Sequence, residues 1–102
     1  MDTKYKEKLS GVFPPCMTIF DDNEEVAYDK IAKNVERYNQ TKLKGYMPLG
    51  SNGEFRSLTD EESVKIIDVY QKYKAPGKTL IVGVMRESAK TTIEFIKKIA
   101  DK

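Results

Sequence analysis

The residues best suited to chemistry lie in one short loop, LGSNGEF, at residues 49–55. Its two glycines allow the backbone to turn so that successive amide N–H groups face one concavity, which suits an anion. Ser51 and Asn52 add side-chain donors, so a small carboxylate or phosphate is a sensible guest. A plain connection between a strand and a helix would have the same composition, and this reading stays open.

The loop does not match the common phosphate and metal motifs. No Gly-Lys-Ser/Thr of the Walker type follows it, and GxGxxG is absent. It lacks the acidic positions of an EF-hand loop. The chain has no histidine, the commonest metal ligand, so we expect no metal site. Phosphate and metal modules are therefore disfavoured, and a carboxylate guest remains.

The composition limits which partners the protein can be expected to bind and where in the cell it can be expected to act. The 102 residues carry 18 basic and 16 acidic side chains, spread along the chain, which argues against nucleic acid or an anionic membrane as partner. The single cysteine cannot form an internal disulfide, which favours a cytoplasmic, reducing location. We expect a solvated polar lead-in at residues 1–10 and one domain at residues 11–102.

Apolar patterns alternate between extended and helical periods, which predicts an α/β fold with a parallel sheet. Pro14, Pro15 and Pro48 shorten the strands, since proline has no N–H to donate. Thr59 and Glu62 form a capping-box pattern at the start of the second helix. The predicted strands are residues 11–20, 45–49 and 79–85. The predicted helices are residues 26–41, residues 59–74 and a third helix from Ser88 onward.

The same patterns predict which residues are buried. The strand at 79–85 is apolar on both faces and is expected to be fully buried. The three helices are expected to bury Tyr28, Ile31, Ala32, Val35 and Tyr38; Ile66, Ile67, Tyr70 and Tyr73; and Ala89, Thr92, Ile93, Ile96, Ile99 and Ala100. Ligands of parallel α/β proteins bind at the carboxyl ends of strands. The 49–55 loop lies at such an end.

Three ordered segments resemble the dihydrodipicolinate synthase/N-acetylneuraminate lyase family. They are GSNGEFRSLTDEE at 50–62, GVFPPCMTIFDDNEEVAYDKI at 11–31 and LIVGVMRESAKTTIEFIKKIAD at 80–101. The asparagine in GSNGE and the double proline look most like the 4-hydroxy-2-oxoglutarate aldolase branch. The resemblance covers the chain from about residue 11 onward.

The resemblance implies a fold and a reaction. Members are (β/α)₈ TIM barrels, so the chain is expected to form the three amino-terminal β/α units. A lysine amine forms a Schiff base with pyruvate or another 2-oxo acid, an aldehyde is the second partner, and no cofactor is needed. Homo-oligomers, dimers or tetramers, are expected. The Schiff-base lysine and the catalytic tyrosine are expected outside these 102 residues, which alone are predicted to be inactive.

The resemblance also implies roles for single residues. Ser51 matches the position that binds the 2-oxo-acid carboxylate and relays a proton through its hydroxyl. Asn52 matches a second carboxylate-binding position and cannot relay a proton. The supporting residues are Thr18, Gly50, Gly53 and Glu54, and Glu54 is expected to have a structural role in which it holds the loop by hydrogen bonds.

The chain also departs from the family pattern. Ile19 replaces the proline of Thr-Pro-Phe, and Met85 and Arg86 stand where many members have small residues. We expect Arg86 to be solvated; the alternative is that Met85 and Arg86 face the barrel mouth and select the second substrate.

Two other readings remain open. One is a non-catalytic α/β interaction module that self-associates or complements another chain. The other is an unrelated small α/β protein in which GSNGE is only a turn.

Overall fold

The computed structural model describes residues 3–102. Short parallel strands alternate with helices, as the patterns predict. The elements are α1 (Thr3–Leu9), α2 (Tyr28–Asn39), β1 (Gly45–Tyr46), α3 (Asp60–Tyr73), β2 (Thr79–Leu80) and α4 (Ala89–Ile99), with 3₁₀ turns at Ser51–Gly53 and Phe55–Ser57. Within the described part of the chain, no helix is long and apolar enough to cross a membrane.

The sheet consists of β1 and β2 in parallel, with Gly45 opposite Thr79. Its hydrogen bonding continues past both strands: the Ile81 N–H donates to the Tyr46 carbonyl (2.9 Å), and the Gly83 N–H donates to the Pro48 carbonyl (3.0 Å). The parallel arrangement was predicted, although the regular strands are shorter than the patterns indicated.

The expected strand at 11–20 is wrong as a regular strand. Only an isolated parallel bridge joins Pro15 to Met47. The Met47 N–H donates to the Pro14 carbonyl (3.1 Å), and the Cys16 N–H donates to the Met47 carbonyl (2.9 Å). Pro14 and Pro15 have no N–H, so the ladder cannot be completed between them. The segment still lies beside β1 and delivers Cys16 to the core.

Tyr46 joins β1 to the ends of both neighbouring helices. Its side chain is fully buried and packs edge-on against Tyr70 of α3, with ring centres 5.6 Å apart. The hydroxyl donates to Asn39 Oδ1 and accepts from the Ala75 N–H (3.0 Å). Asn39 Nδ2 in turn donates to the Tyr73 carbonyl (2.8 Å). A fully hydrogen-bonded buried network of this kind fixes where β1 lies between α2 and α3.

Helix α3 begins with the predicted capping box. The Thr59 N–H donates to Glu62 Oε1 (2.9 Å), and the Glu62 N–H donates to Thr59 Oγ1 (3.1 Å). The start of α3 is therefore well defined, and the second 3₁₀ turn, Phe55–Ser57, separates it from the 49–55 loop. Of the stripe expected from this helix, Tyr73 is half-buried and the other three residues are buried: Ile66, Ile67 and Tyr70.

The predicted inner face of α4 needs correction. Phe95 is fully buried, whereas Ile93 and Ile96 are 51% and 41% exposed. Thr92 and Ile99 are half-buried and flank Phe95 at spacings of three and four residues. The helix is thus rotated so that its aromatic side chain, the largest apolar one, enters the core. Ala89 and Ala100, also expected inside, are exposed.

Strand β2 and its continuation are half-buried instead of fully buried, and Met85 is 59% exposed. Within residues 3–102 the sheet has only two strands, so one edge of β2 has no neighbouring strand to cover it. The sequence pattern predicts a strand that is suited to burial on both faces, whereas the described residues cover β2 only in part.

The lead-in expected at residues 1–10 contains the exposed helix α1. Met1 and Asp2 lie outside the described residues. Thr79 Oγ1 donates to the Lys8 carbonyl (2.9 Å), which attaches the end of α1 to β2. The division into a lead-in and a domain stays a prediction.

Candidate functional site

The loop that carries Ser51 and Asn52 follows β1 at the carboxyl end of the sheet, as predicted. Residues Ser51–Gly53 form one 3₁₀ turn and Phe55–Ser57 form a second. Ser51 and Asn52 are both exposed. The two candidate side chains therefore lie side by side on a turn that solvent or a ligand can reach.

The left-handed backbone positions belong to residues other than the glycines. Leu49 has φ 64° and Glu54 has φ 55°, whereas Gly50 has φ −92° and ψ −165°. A Cβ added to Gly50 would meet nothing within 4 Å. Left-handed φ is costly for residues with a side chain and persists only where the surroundings enforce it. Neither the backbone conformation nor the space at Gly50 therefore demands a glycine.

Gly53 packs closely against the chain under the loop. It is buried, and a Cβ added there would lie 3.0 Å from the Cys16 carbonyl oxygen. Thr18 is also buried, and its Oγ1 donates to the Gly53 carbonyl (2.6 Å). The structure thus places both of these supporting residues on the underside of the turn, where they anchor it.

Gly83 supports the other end of the loop and was not singled out from the sequence. A Cβ added to Gly83 would lie 2.2 Å from the Leu49 carbonyl oxygen and 3.2 Å from the Gly50 nitrogen. The interruption of an apolar strand by a glycine was the available signal, since such a glycine often marks a close backbone approach.

The tip of the loop offers free donors. The Gly53 N–H donates to the Gly50 carbonyl (3.0 Å) and the Glu54 N–H to the Ser51 carbonyl (3.1 Å), as expected for a 3₁₀ turn. The first N–H groups of such a turn have no partner inside it. Within residues 3–102, the side chains of Ser51 and Asn52 also make no hydrogen bond. The turn therefore presents backbone and side-chain donors together, a combination that suits an anion.

Glu54 holds the loop through its backbone, not through its side chain. The side chain is exposed and makes no hydrogen bond within residues 3–102. Its carbonyl accepts from the Ser57 N–H (2.9 Å), and its left-handed conformation links the two 3₁₀ turns.

Arg56 was missed as a candidate. It lines a small cavity of about 130 Å³ together with Ser51, Glu54 and Phe55. Its guanidinium lies 5.5 Å from the centre of the Phe55 ring. The signal was present in the sequence, because a cationic residue directly follows the 49–55 loop.

Arg86 is largely buried, so the expectation that it is solvated is wrong. Its side chain is 15% exposed, and its Nε donates to Asp60 Oδ1 (2.9 Å). Its guanidinium carbon lies 3.7 Å from the centre of the Phe95 ring. A planar cation can stack on an aromatic ring and bind a carboxylate at the same time, and this combination accounts for its burial.

Asp60 is the first residue of α3 and also binds Lys98 (Nζ to Oδ2, 3.4 Å). Partial burial opposes its ionisation, but the hydrogen bonds and charges of Arg86 and Lys98 together outweigh this and lower the pKa of the Asp60 carboxyl. The ionised carboxylate is therefore favoured in the folded protein.

This lowered pKa predicts how stability depends on pH. The Asp60 carboxylate stabilises the folded protein fully above its pKa in the unfolded chain, about 3.9. This stabilisation is lost as the pH falls through the lower pKa of the folded state. The stability difference between wild type and Asp60→Asn should therefore shrink between neutral pH and about pH 3. Urea unfolding across this range checks it, with the exposed Asp22→Asn as control. A difference that is independent of pH would contradict the prediction.

Curated proteins and solved structures are similar to this chain, although no protein-family model matches it. The 4-hydroxy-tetrahydrodipicolinate synthase of Methanothrix thermoacetophila is 29% identical over 91 residues, which cover 89% of this chain and 30% of that enzyme. The chain thus spans about 30% of the length of the curated relatives it matches.

Two solved structures share the fold and are 25% identical in sequence. N-acetylneuraminate lyase of Proteus mirabilis superposes with a TM-score of 0.80 over 87% of this chain and 30% of that one. YagE, a prophage protein of the dihydrodipicolinic acid synthase family from E. coli K12 in complex with pyruvate, has a TM-score of 0.82 over 91% of this chain and 31% of that one. The sequence similarity and the fold similarity together support a relationship between this chain and the dihydrodipicolinate synthase/N-acetylneuraminate lyase family of lyases.

Proposed function

We propose that this chain provides the carboxylate-binding part of the active site of an aldolase-type lyase that acts on pyruvate or a similar 2-oxo acid. It corresponds to the amino-terminal three β/α units of a TIM barrel in the dihydrodipicolinate synthase/N-acetylneuraminate lyase family. The Schiff-base lysine and the catalytic tyrosine are supplied from outside these 102 residues.

The anchored turn at Ser51–Gly53 is the observation that carries the proposal. Its underside is fixed by the Thr18–Gly53 hydrogen bond, while Ser51 and Asn52 at its tip are exposed and keep their donors free. Fixed donors bind a carboxylate without paying for reorganisation when the ligand arrives. The position of the turn at the carboxyl end of the strands is where α/β barrels bind substrates.

Each side chain has a separate role in this proposal. Asn52 and the first N–H groups of the turn bind the carboxylate and orient the ketone. Ser51 binds the same carboxylate, and its hydroxyl can accept and pass on a proton during carbon–carbon bond cleavage or formation. Asn52 carries an amide and serves for binding alone.

The exposure of the lysines supports a nucleophile that is supplied from outside these 102 residues. A Schiff-base lysine needs burial or a nearby cation to lower its pKa, so that the amine is free at neutral pH. None of the lysines among residues 3–102 is buried. On this basis the chain binds the acid end of the substrate, and another part of the enzyme attacks the ketone.

The finer assignments are also part of the proposal. The asparagine of GSNGE and the double proline favour the 4-hydroxy-2-oxoglutarate aldolase branch, with an aldehyde as the second substrate. The proposal also includes a homo-oligomeric enzyme and a cytoplasmic location. The exposed flank of β2 and the exposed Met85 leave apolar surface for association.

A pyruvate titration of isotopically labelled protein tests the proposed binding site. The amide resonances of Ser51, Asn52 and Gly53 should move in a saturable way, because the carboxylate binds at their turn. Acetamide, which has the size of acetate but no charge, is the control ligand. Saturable shifts elsewhere with none at 51–53 would contradict the proposal. If the amides stay fixed and the protein self-associates, the interaction-module reading takes its place.

Replacing Asn52 by alanine should weaken ground-state binding. In the complete enzyme we expect KM for the 2-oxo acid to rise about tenfold while kcat changes little, because the amide binds substrate and transition state alike. Steady-state kinetics with varied 2-oxo acid measures both constants. Asn23→Ala, in the exposed acidic turn at residues 21–25, is the control. A fall in kcat at unchanged KM would reject the binding role.

A further inference from the structure

Residues 83–86 contact the chain on both sides of the loop that carries Ser51 and Asn52, at Leu49 and at Asp60. Gly83 approaches the Leu49 carbonyl at the start of the loop so closely that an added Cβ would be 2.2 Å away. Arg86 donates from Nε to Asp60 Oδ1 (2.9 Å). Asp60 is the first residue of α3 and is separated from the loop by the second 3₁₀ turn, Phe55–Ser57. A span of four residues therefore contacts the start of the loop and the start of the helix that follows it.

Arg86 is itself held in place from several sides. Its guanidinium stacks on the fully buried Phe95 ring at 3.7 Å, and its Nη1 donates to the Met85 carbonyl (2.8 Å). Its backbone N–H donates to Thr92 Oγ1 (3.0 Å) in the first turn of α4. A charge-assisted bond from so restrained a cation restricts the carboxylate as well. The position of Asp60 is thus tied to α4 through Arg86.

The second contact of Asp60 is different in kind. Lys98 reaches the other carboxylate oxygen at 3.4 Å from an exposed side chain, 56% accessible to solvent. Exposed ion pairs of this type contribute little to stability and restrict the paired side chains only weakly. The two cations therefore share one carboxylate, but only Arg86 is rigid enough to locate it.

We propose that Arg86 is a positioning residue for the candidate site. It holds the first turn of α3 against residues 83–86 and thereby keeps Ser51 and Asn52 in the geometry that receives a carboxylate. This inference rests on the proposed function and extends it to a residue that touches no substrate. Lysine cannot replace it, because an ammonium group is not planar and cannot stack on Phe95 while it binds Asp60.

The test compares Arg86→Met with wild type by a pyruvate titration followed through the amides of residues 51–53. Methionine keeps an apolar stem over Phe95 and removes the bond to Asp60. We expect the Kd for pyruvate to rise about tenfold, since small misplacements of binding groups are expensive. The amide resonances of 51–53 should also shift without ligand. General loss of stability would not move the native resonances, so this readout separates positioning from a merely structural role.

Lys98→Met is the matched control, because it removes the other cation from the same carboxylate. It should leave the Kd within about twofold and the amides of 51–53 unmoved. A folded Arg86→Met with wild-type Kd and unmoved amides overturns the inference. If Arg86→Met does not fold, Asp60→Ala, which removes the acceptor of the Arg86 Nε–H, is measured in its place, and wild-type values there overturn it equally. If wild type binds no pyruvate, the proposed function fails, and the ligand-free amide shifts alone decide the role of Arg86.

Discussion

Ser51→Ala is expected to lower the kcat of the complete enzyme about 100-fold, because it removes a hydroxyl that passes a proton in the reaction. The side chain is exposed at the tip of an anchored turn and is free of other hydrogen bonds within residues 3–102, so nothing in the fold depends on it. The loss should therefore appear in turnover at saturating 2-oxo acid and not in stability. Steady-state kinetics and thermal unfolding measure the two effects separately.

Two further variants make the result specific to the hydroxyl at this position. Ser51→Thr keeps a hydroxyl and should recover most of the turnover. Ser57→Ala removes an exposed serine hydroxyl from the second 3₁₀ turn and should have no effect. If Ser51→Ala retains turnover within about threefold of wild type, the role of Ser51 is confined to carboxylate binding.

The elements were predictable wherever a local rule acts alone. The capping box at Thr59 and Glu62 and the helical period of α3 depend on neighbouring residues, and the alternation of strands and helices indicated the parallel pairing of Gly45 with Thr79. The rotation of α4 was not predictable, since Phe95 and the isoleucines are equally apolar in a sequence pattern. Which of them enters the core depends on the cavity that α3 and β2 leave, and this is a tertiary property.

The loop was correctly located, but the reasons for its shape were not visible in the sequence. Glycine composition predicted the turn, yet the left-handed positions belong to Leu49 and Glu54. The surroundings impose this strain through contacts from distant parts of the chain, such as Thr18 and Gly83. Arg86 was misread for the same reason: its partners Asp60 and Phe95 lie 26 residues before it and on the next helix.

Gly83→Ala should be strongly destabilising. The added methyl group would lie 2.2 Å from the Leu49 carbonyl oxygen and 2.7 Å from its carbonyl carbon, and both are backbone atoms that cannot rotate away. Either the loop or the 79–84 segment must move, and the hydrogen bond from the Gly83 N–H to the Pro48 carbonyl is lost with it. We expect the free energy of unfolding to fall by about 3 kcal/mol, the upper range for overpacking.

Gly50→Ala is the matched control in the same loop, because a Cβ there meets nothing within 4 Å and the backbone is extended. Its effect on stability should stay within about 0.5 kcal/mol. Urea unfolding of the two variants measures the contrast, and equal midpoints would contradict the packing argument. Gly83→Ala should also shift the amides of residues 51–53, because the displaced carbonyl of Leu49 lies at the base of their turn. A stability loss with unmoved amides would show that the strain is relieved in the 79–84 segment and that the turn is anchored from below by Thr18 and Gly53 alone.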